Sequence, residues 1–427
     1  MLTATMAAAL VAVLVSHNNP ASAQGTTSVA GTTIIVNTKE DESTDDGNCS
    51  LREAIEAADT NTAVDKCEAG SATERDAIHF SLGKKATIVL GSQLPTITDV
   101  SGLNINGRRA HITISGNDAV RVFEVGTGAK LTLANLTVAD GFAVQTPSPN
   151  PQPDNGGGIV NDGGALRVAR GTFSGNNANA GGGIANINGG TLTVTNSTFS
   201  GNNAVGTSSS GRINCENACF GGGIENDGGT LKVTSSTFSG NKADAIGGGI
   251  SNNSGALKVA NSTFSGNSAA FVGGAINNGG TLEVNYSTFS GNVGGGINNA
   301  NEATAKVTLS NTILAKSTGG NIRQACAGGT CLGTITDGRY NISDDNTSSK
   351  FFTDPTSKND TDPLLDPNGL QNNGGPTKTI ALQKGSPDID AIPKGTNGCG
   401  TEVTTDQRGV KRPQGPGCDI GAFEKKK

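Results

Sequence analysis

The sequence predicts an all-β protein whose centre is a single-stranded right-handed parallel β-helix, a solenoid, with an N-terminal helical cap and a C-terminal irregular β capping domain. A Gly-Gly-Gly-Ile … Phe-Ser-Gly-Asn unit returns about every 26 residues, a period typical of solenoids. Within a unit, apolar and polar residues alternate, so Leu192 and Val194 are expected to face inward and Thr191 and Thr193 outward. The 427 residues include 63 Gly, no Trp and only 4% aromatic residues, which favours thin repeated cross-sections over a broad globular core.

Equivalent residues of successive units are expected to form ladders along the solenoid, because rungs stack at about 4.8 Å. The phenylalanines of the repeat are Phe173, Phe199, Phe238, Phe264 and Phe289. One row of asparagines follows the repeat isoleucine, at Asn161, Asn186, Asn226, Asn252, Asn278 and Asn299. A second row ends the Phe-Ser-Gly-Asn motif, at Asn176, Asn202, Asn241, Asn267 and Asn292. Stacked amides can pair with one another and with buried turn groups, so we interpret both rows as structural ladders rather than as sugar-binding amides.

The N-terminal cap is predicted from the one convincing helix of the sequence, which follows Cys49. Ser50 and Glu53 form the Ser-x-x-Glu capping box that marks a helix N-terminus. The apolar side chains that recur on one face are Leu51, Ala54, Ile55 and Ala58. We therefore expect an amphipathic helix that covers the first rung of the solenoid.

Export is predicted from the N-terminus and from the cysteines. Residues 1–23 resemble a signal peptide, with an apolar run over 6–15 and Ala21-Ser22-Ala23 before Gln24, although no Lys or Arg precedes the run. The 8 cysteines favour disulfides in an exported chain, and metal binding is disfavoured because no His lies near them. The sequence-local pairs are Cys49/Cys67, Cys215/Cys219, Cys326/Cys331 and Cys399/Cys418.

Three sets of motifs resemble known families. Cys49-Ser-Leu-Arg-Glu-Ala54 matches the motif of the CSLREA domain of exported bacterial proteins. Gly273-Gly-Ala-Ile276 and the Phe-Ser-Gly-Asn repeats resemble the GGA-I/L/V and FxxN signatures of the polymorphic outer membrane protein family. The stretches at 372–381, 385–390, 405–409 and 418–424 resemble a choice-of-anchor Q domain. The resemblance implies an envelope or extracellular location and, in some relatives, adhesion to surfaces.

These observations divide the chain into four regions. They are a signal peptide at 1–23, an N-terminal CSLREA capping region at 24–115, parallel β-helix repeats at 116–345 and a choice-of-anchor Q-like domain at 346–427. The 205–220 insertion with its cysteine pair and the Pro-rich 146–153 stretch are expected to protrude from the solenoid. No apolar anchor follows the motif that ends at Glu424, and no segment after the signal peptide is apolar enough to span a bilayer. We therefore expect a secreted or cell-surface protein without an integral membrane segment, and a monomer.

Catalytic chemistry has little support in the sequence. The net charge of −6 provides no basic footprint for nucleic acid. Paired carboxylates are what a glycoside hydrolase needs, but Asp162 and Asp227 are separated by a rung with Asn188 near that position, and Glu225 is a lone partner of Asp227. We expect these acids to be exposed turn residues and assign no catalytic residue. The main prediction is an exported non-catalytic protein for adhesion or matrix interaction, with an extracellular polysaccharide or a surface protein as partner; the alternative is a polysaccharide lyase or glycoside hydrolase on a parallel β-helix.

No cofactor is predicted. The acidic residues at 344–345 and 354–366 leave a Ca²⁺ site as a weaker alternative to a solvated linker. Two groups of charged residues in the C-terminal domain motif, Asp406/Arg408 and Asp419/Glu424, are expected to form ion pairs or turn caps within that domain. Ice binding by an outward row of threonines is disfavoured, because charged residues in the neighbouring outward row interrupt the flat hydroxyl surface that it requires.

Overall fold

The predicted parallel β-helix is confirmed by the computed structural model, which describes residues 31–108, 111–143, 154–209, 212–214 and 219–426. Within this part, four parallel sheets run along the solenoid, and each of the four rungs between Ile159 and Ala269 contributes one strand to every sheet. The predicted signal peptide, the 146–153 excursion and Cys215 lie outside the described residues.

The isoleucine sheet, with 8 strands in the described part, holds the Ile-x-Asn segments. Its strands are Phe123–Val125, Ile159–Asp162, Ile184–Ile187, Ile224–Asp227, Ile250–Asn253, Ile276–Asn278, Ile297–Asn299 and Ile322–Gln324. The long sheet, with 11 described strands, follows it in each rung. Its strands are Thr33–Val36, Asp76–Phe80, Leu103–Asn106, Lys130–Ala134, Ala165–Ala169, Thr191–Thr195, Thr230–Thr234, Ala256–Ala260, Thr281–Asn285, Lys306–Ser310 and Thr334–Asp337.

The phenylalanine sheet comes next in each rung, with 10 described strands, and is followed by a short sheet of 5. The phenylalanine sheet comprises Thr87–Val89, Ile112–Ser115, Leu136–Ala139, Thr172–Ser174, Thr198–Ser200, Thr237–Ser239, Thr263–Ser265, Thr288–Ser290, Ile313–Ala315 and Ile342–Ser343. The short sheet comprises Phe142–Ala143, Asn177–Ala178, Asn203–Ala204, Lys242–Ala243 and Ser268–Ala269. Two antiparallel pairs complete the described strands: Thr207–Ser209 with Arg212–Asn214, and Ile392–Pro393 with Gly417–Cys418.

Strict register aligns equivalent residues, so the core is a set of ladders. Leu192 pairs with Leu231 and Val194 with Val233 on neighbouring strands, and all four side chains are fully buried. The repeat phenylalanine rings stack with centroids 4.7 to 4.8 Å apart and nearly parallel planes. That distance is the spacing between neighbouring strands, so the repeat register alone determines the ring stacking.

A glycine is required where each rung turns into the isoleucine sheet. Gly221 has φ +67°, and a Cβ placed there would lie 2.2 Å from the Ile224 carbonyl oxygen. Gly247 and Gly273 adopt the same left-handed conformation in the next rungs, where a Cβ would meet Ser251 at 2.8 Å and Asn277 at 2.9 Å. This tight bend folds the chain against the outer face of the isoleucine sheet and forms a concave corner there.

Both ends of the solenoid are covered. The helix Leu51–Thr60 begins with the predicted capping box between Ser50 and Glu53, and its apolar face packs into the same core as the first strands. At the other end, Phe352 is buried in this core.

The rest of the C-terminal segment lies along the outer face of the phenylalanine sheet rather than over the end. Thr237 Oγ1 donates to the Lys378 carbonyl oxygen at 2.6 Å, and Thr263 Oγ1 donates to Gln407 Oε1 at 2.6 Å. Further along, the Ala422 amide donates to Thr288 Oγ1 at 3.0 Å. The segment therefore contacts three successive rungs through their threonines.

The predicted disulfides Cys49–Cys67, Cys326–Cys331 and Cys399–Cys418 are formed. Cys219 is also disulfide-bonded. No helix in the described ranges is long and apolar enough to cross a membrane.

Candidate functional site

The asparagine rows lie inside the solenoid, and the side-chain amides of each row hydrogen-bond to one another. Along the first row each Nδ2 donates to the next Oδ1 at 2.6 to 2.9 Å, and along the second at 2.8 to 3.0 Å. The Nδ2 groups also donate to backbone carbonyls, as Asn226 does to Gly229 and Asn241 to Phe199. All of these side chains are fully buried, so none presents its amide to an external ligand.

The expectation that Glu225 is an exposed turn residue is wrong. Only 5% of Glu225 is exposed, because the Gly221 bend encloses it in the concave corner. Asp227 and Asp162 are the last residues of their strands, at the solvent edge, where they accept hydrogen bonds from Asn253 Nδ2 at 3.0 Å and Asn188 Nδ2 at 2.6 Å.

Glu225 begins a row of polar side chains in this corner, which we call the corner row: Glu225, Ser251, Asn277 and Asn298, on consecutive strands. Their exposed fractions are 5%, 1%, 6% and 4%. Burial, together with the nearby charge of Asp227, raises the pKa of Glu225 to about 8, so its carboxyl is largely protonated at neutral pH. In the described structure Glu225 Oε2, Ser251 Oγ and Asn298 Oδ1 have no hydrogen-bond partner. The corner row is therefore unusually polar for a buried site, but it offers little access to a large substrate.

A more accessible site lies on the outer face of the long sheet, in a cleft of about 630 Å³. We call it the cationic cleft because Arg75, Lys130 and Arg167 line it. Strand register places Thr132 beside Arg167 and Ala165 beside Lys130, while the intervening leucines point into the core. The remaining outward residues of the cleft are short, mainly threonine and alanine, so the three long cationic side chains border an open depression.

The cations of the cleft are not neutralised by the protein. Within the described ranges no ion pair or side-chain hydrogen bond joins Arg75, Lys130 or Arg167 to another residue. By contrast, Lys258 on the same sheet pairs with Glu283 at 2.8 Å. Glu74 is the single acidic residue of the cleft lining. A chain with a net charge of −6 thus concentrates uncompensated positive charge at one place, which favours an anionic ligand.

Sequence reasoning missed the cationic cleft. Lys130 and Arg167 belong to neighbouring rungs, and their outward positions follow from the alternation of the strands. Arg75 lies in the N-terminal region, which has no repeat from which its register could be inferred, and only the fold brings it beside them.

The acids considered for Ca²⁺ stabilise the end of the solenoid. Asp344 accepts hydrogen bonds from the Lys316 amide at 2.8 Å and Asn321 Nδ2 at 2.7 Å, and Asp345 accepts one from Thr347 Oγ1 at 2.6 Å. In the part of the chain described, no group of three or more His, Cys, Asp or Glu residues is placed to hold a metal ion.

The predicted ion pairs and caps of the C-terminal segment are confirmed. Asp406 pairs with Arg408 at 2.7 Å. Glu424 pairs with Arg412 at 2.9 Å, and Asp419 accepts a hydrogen bond from the Asp390 amide at 2.7 Å.

Among solved structures, the chain is similar to the crystal structure of pectate lyase Pel9A. The two share 15% sequence identity over 92% of this chain and 96% of that chain, with a TM-score of 0.48. The similarity is one of fold. No family model matches the chain, and no curated protein matches it.

The non-catalytic adhesion or matrix function predicted from the sequence finds no support in this comparison, since the similar structure is named as a pectate lyase. That prediction is withdrawn.

Proposed function

We propose that the protein is a polysaccharide lyase that binds an acidic polysaccharide in the cationic cleft. The observation that carries this proposal is the convergence of Arg75, Lys130 and Arg167, without carboxylate partners in the described structure, around a cleft of about 630 Å³. An open cleft on a solenoid face can admit a polymer, and uncompensated cations suit a polymer that carries carboxylates.

The chemistry of acidic sugars gives these cations a role beyond binding. Guanidinium groups bind carboxylates through paired hydrogen bonds. Neutralising a uronate carboxylate makes the hydrogen on the adjacent ring carbon more acidic and stabilises the negative charge that develops when that proton leaves. Elimination then breaks this carbon–hydrogen bond and the bond to the glycosidic oxygen, forms a carbon–carbon double bond, and passes the proton through solvent water to the departing oxygen. We assign Arg75, Lys130 and Arg167 to carboxylate binding and charge neutralisation.

An extracellular substrate agrees with the export predicted from residues 1–23 and with the disulfides of the folded chain. We therefore include secretion in the proposal, and cell fractionation of the producing organism tests it independently of the activity.

Arg75→Ala and Arg167→Ala are each expected to weaken binding of uronate oligosaccharides by about tenfold or more, since a charge-assisted hydrogen bond contributes roughly 1.5–3 kcal/mol. Lys232→Ala is the matched control, because Lys232 faces outward in the same row as Arg167, with Thr193 between them, but lies outside the cleft. Calorimetric titration measures the affinities, and the ultraviolet absorbance of unsaturated sugar ends measures cleavage.

Three results would count against the proposal. Equal losses of affinity for Lys232→Ala and Arg167→Ala would show that the oligosaccharide is attracted by the charge of the whole sheet face and not by a defined site. Absence of binding by the unaltered protein would remove the acidic polysaccharide as ligand. Binding without unsaturated products would remove the lyase reaction.

A further inference from the structure

A second positively charged cleft lies next to the cationic cleft, at the turn from the long sheet to the phenylalanine sheet. This turn cleft has a volume of about 370 Å³, and Arg108, His111 and Arg170 line it. Both clefts lie on the same three rungs. The cationic cleft includes residues of the strands that begin at Lys130, Ala165 and Thr191, and the turn cleft includes residues of the turns that follow these strands. Arg167 and Arg170 belong to one rung, three residues apart.

Arg170 occupies a backbone position that favours a different residue. Its φ is +52°, in the left-handed region, and the equivalent turn residues of the neighbouring rungs are Asn135 at +54° and Asn196 at +53°. Asparagine tolerates this conformation better than other residues with a β-carbon, so arginine is the less stable choice here. Arg170 is exposed and its guanidinium has no hydrogen-bond or ion-pair partner in the described structure, so no side-chain contact offsets that disadvantage. The conformation itself recurs at this turn in later rungs, as at Ser235 and Asn261, so it is the arginine side chain and not the backbone that points to a ligand.

Arg108 is held at the same cleft by a neighbouring ring. Its Nη2 lies 2.9 Å from His79 Nδ1. Burial, and then the Arg108 charge, lower the pKa of His79, which keeps the ring neutral and able to accept a hydrogen bond from the guanidinium at neutral pH.

We propose that the turn cleft is a second carboxylate-binding subsite for the same acidic polysaccharide, with Arg170 and Arg108 as its anion-binding residues. The polymer then crosses the rungs from the cationic cleft around the turn instead of running only along one sheet. This inference rests on the proposed function. It adds a substrate path and a length requirement, because only a chain long enough to reach both clefts benefits from Arg170.

Arg170→Asn tests the subsite, because it introduces the residue that the neighbouring turns already carry. The expected result is an affinity for long uronate oligosaccharides about tenfold weaker, an unchanged affinity for short ones that fill only the cationic cleft, and a midpoint of thermal unfolding no lower than that of the unaltered protein. Lys316→Asn is the matched control. Lys316 is an exposed cation at φ +56° outside both clefts, so its replacement has the same backbone effect and leaves both affinities unchanged.

The outcomes separate this inference from the proposed function. If Arg170→Asn leaves the affinity for long oligosaccharides unchanged while Arg167→Ala weakens the short ones, the turn cleft is not a subsite but the cationic cleft remains the site. If Arg170→Asn weakens short and long oligosaccharides equally, Arg170 belongs to the first site and the separate subsite is refuted. If the unaltered protein binds neither length, the proposed function fails and this inference fails with it.

Discussion

Replacing Glu225 with Gln is expected to stabilise the protein strongly above pH 8 and to leave its stability below pH 4.5 almost unchanged. Burial, with a smaller contribution from Asp227, raises the pKa of Glu225 from 4.5 to about 8. Between these values the folded protein binds more protons at this site than the unfolded chain does, so the free energy of unfolding falls as pH rises. A raised pKa therefore gives full stability at low pH and a loss that is complete above pH 8.

The size of this effect follows from the size of the shift, at about 1.4 kcal/mol for each pKa unit. The expected gain in unfolding free energy from Glu225→Gln above pH 8 is therefore on the order of several kcal/mol. Glutamine keeps the shape and a hydrogen-bond donor in the corner row, so little is lost at low pH.

Urea unfolding at a series of pH values measures both profiles. The unaltered protein should lose stability across the window, and Glu225→Gln should flatten that loss. Glu283→Gln is the control, since Glu283 is exposed and paired only with Lys258 at the surface, where such a pair contributes roughly 0–1 kcal/mol. Parallel profiles for the unaltered protein and Glu225→Gln would show that the Glu225 carboxyl is ionised and hydrated in the folded state.

Arg412→Ala is expected to lower the unfolding free energy by about 3–5 kcal/mol, because it leaves the buried Glu424 without its cation. Arg412 is 1% exposed and Glu424 is 1% exposed, and their charged groups lie 2.9 Å apart. The guanidinium also donates to the Asp419 and Gly421 carbonyl oxygens at 2.7 and 2.6 Å and lies 4.6 Å from the ring centroid of Tyr286, a residue of the solenoid. Removing it therefore weakens the attachment of the C-terminal segment to the phenylalanine sheet.

Hydrogen exchange checks where this loss occurs. Faster exchange in residues 376–424, with little change in the strands that hold the phenylalanine ladder, is the expected pattern. The double variant Arg412→Met with Glu424→Gln should recover part of the lost stability, because it removes both buried charges. Uniform loss of protection across the solenoid, or a double variant no better than Arg412→Ala, would contradict the role assigned to the pair.

Local sequence signals predicted much of the scaffold. The capping box at Ser50 and Glu53 depends on residues three apart, and the three disulfides in the described part join cysteines separated by 5 to 19 positions. Such features can be predicted from a short stretch of sequence, because the residues that form them are close together in the chain. The burial of Glu225 could not be predicted this way, because the alternation of its strand points it outward and only the Gly221 bend encloses it.

By itself, the sequence determined the solenoid, because a repeat in strict register can bury its apolar face only by stacking rung on rung, and stacking then aligns the phenylalanines and asparagines without further information. Only the tertiary structure decided the features of the candidate site and of the buried corner. Arg75 reaches Lys130 and Arg167 through the packing of the non-repeating N-terminal region, and Glu225 acquires its raised pKa from the desolvation of the concave corner. Both the desolvation of Glu225 and the convergence of the three cations depend on residues that are distant in the chain, so a local sequence pattern cannot predict them.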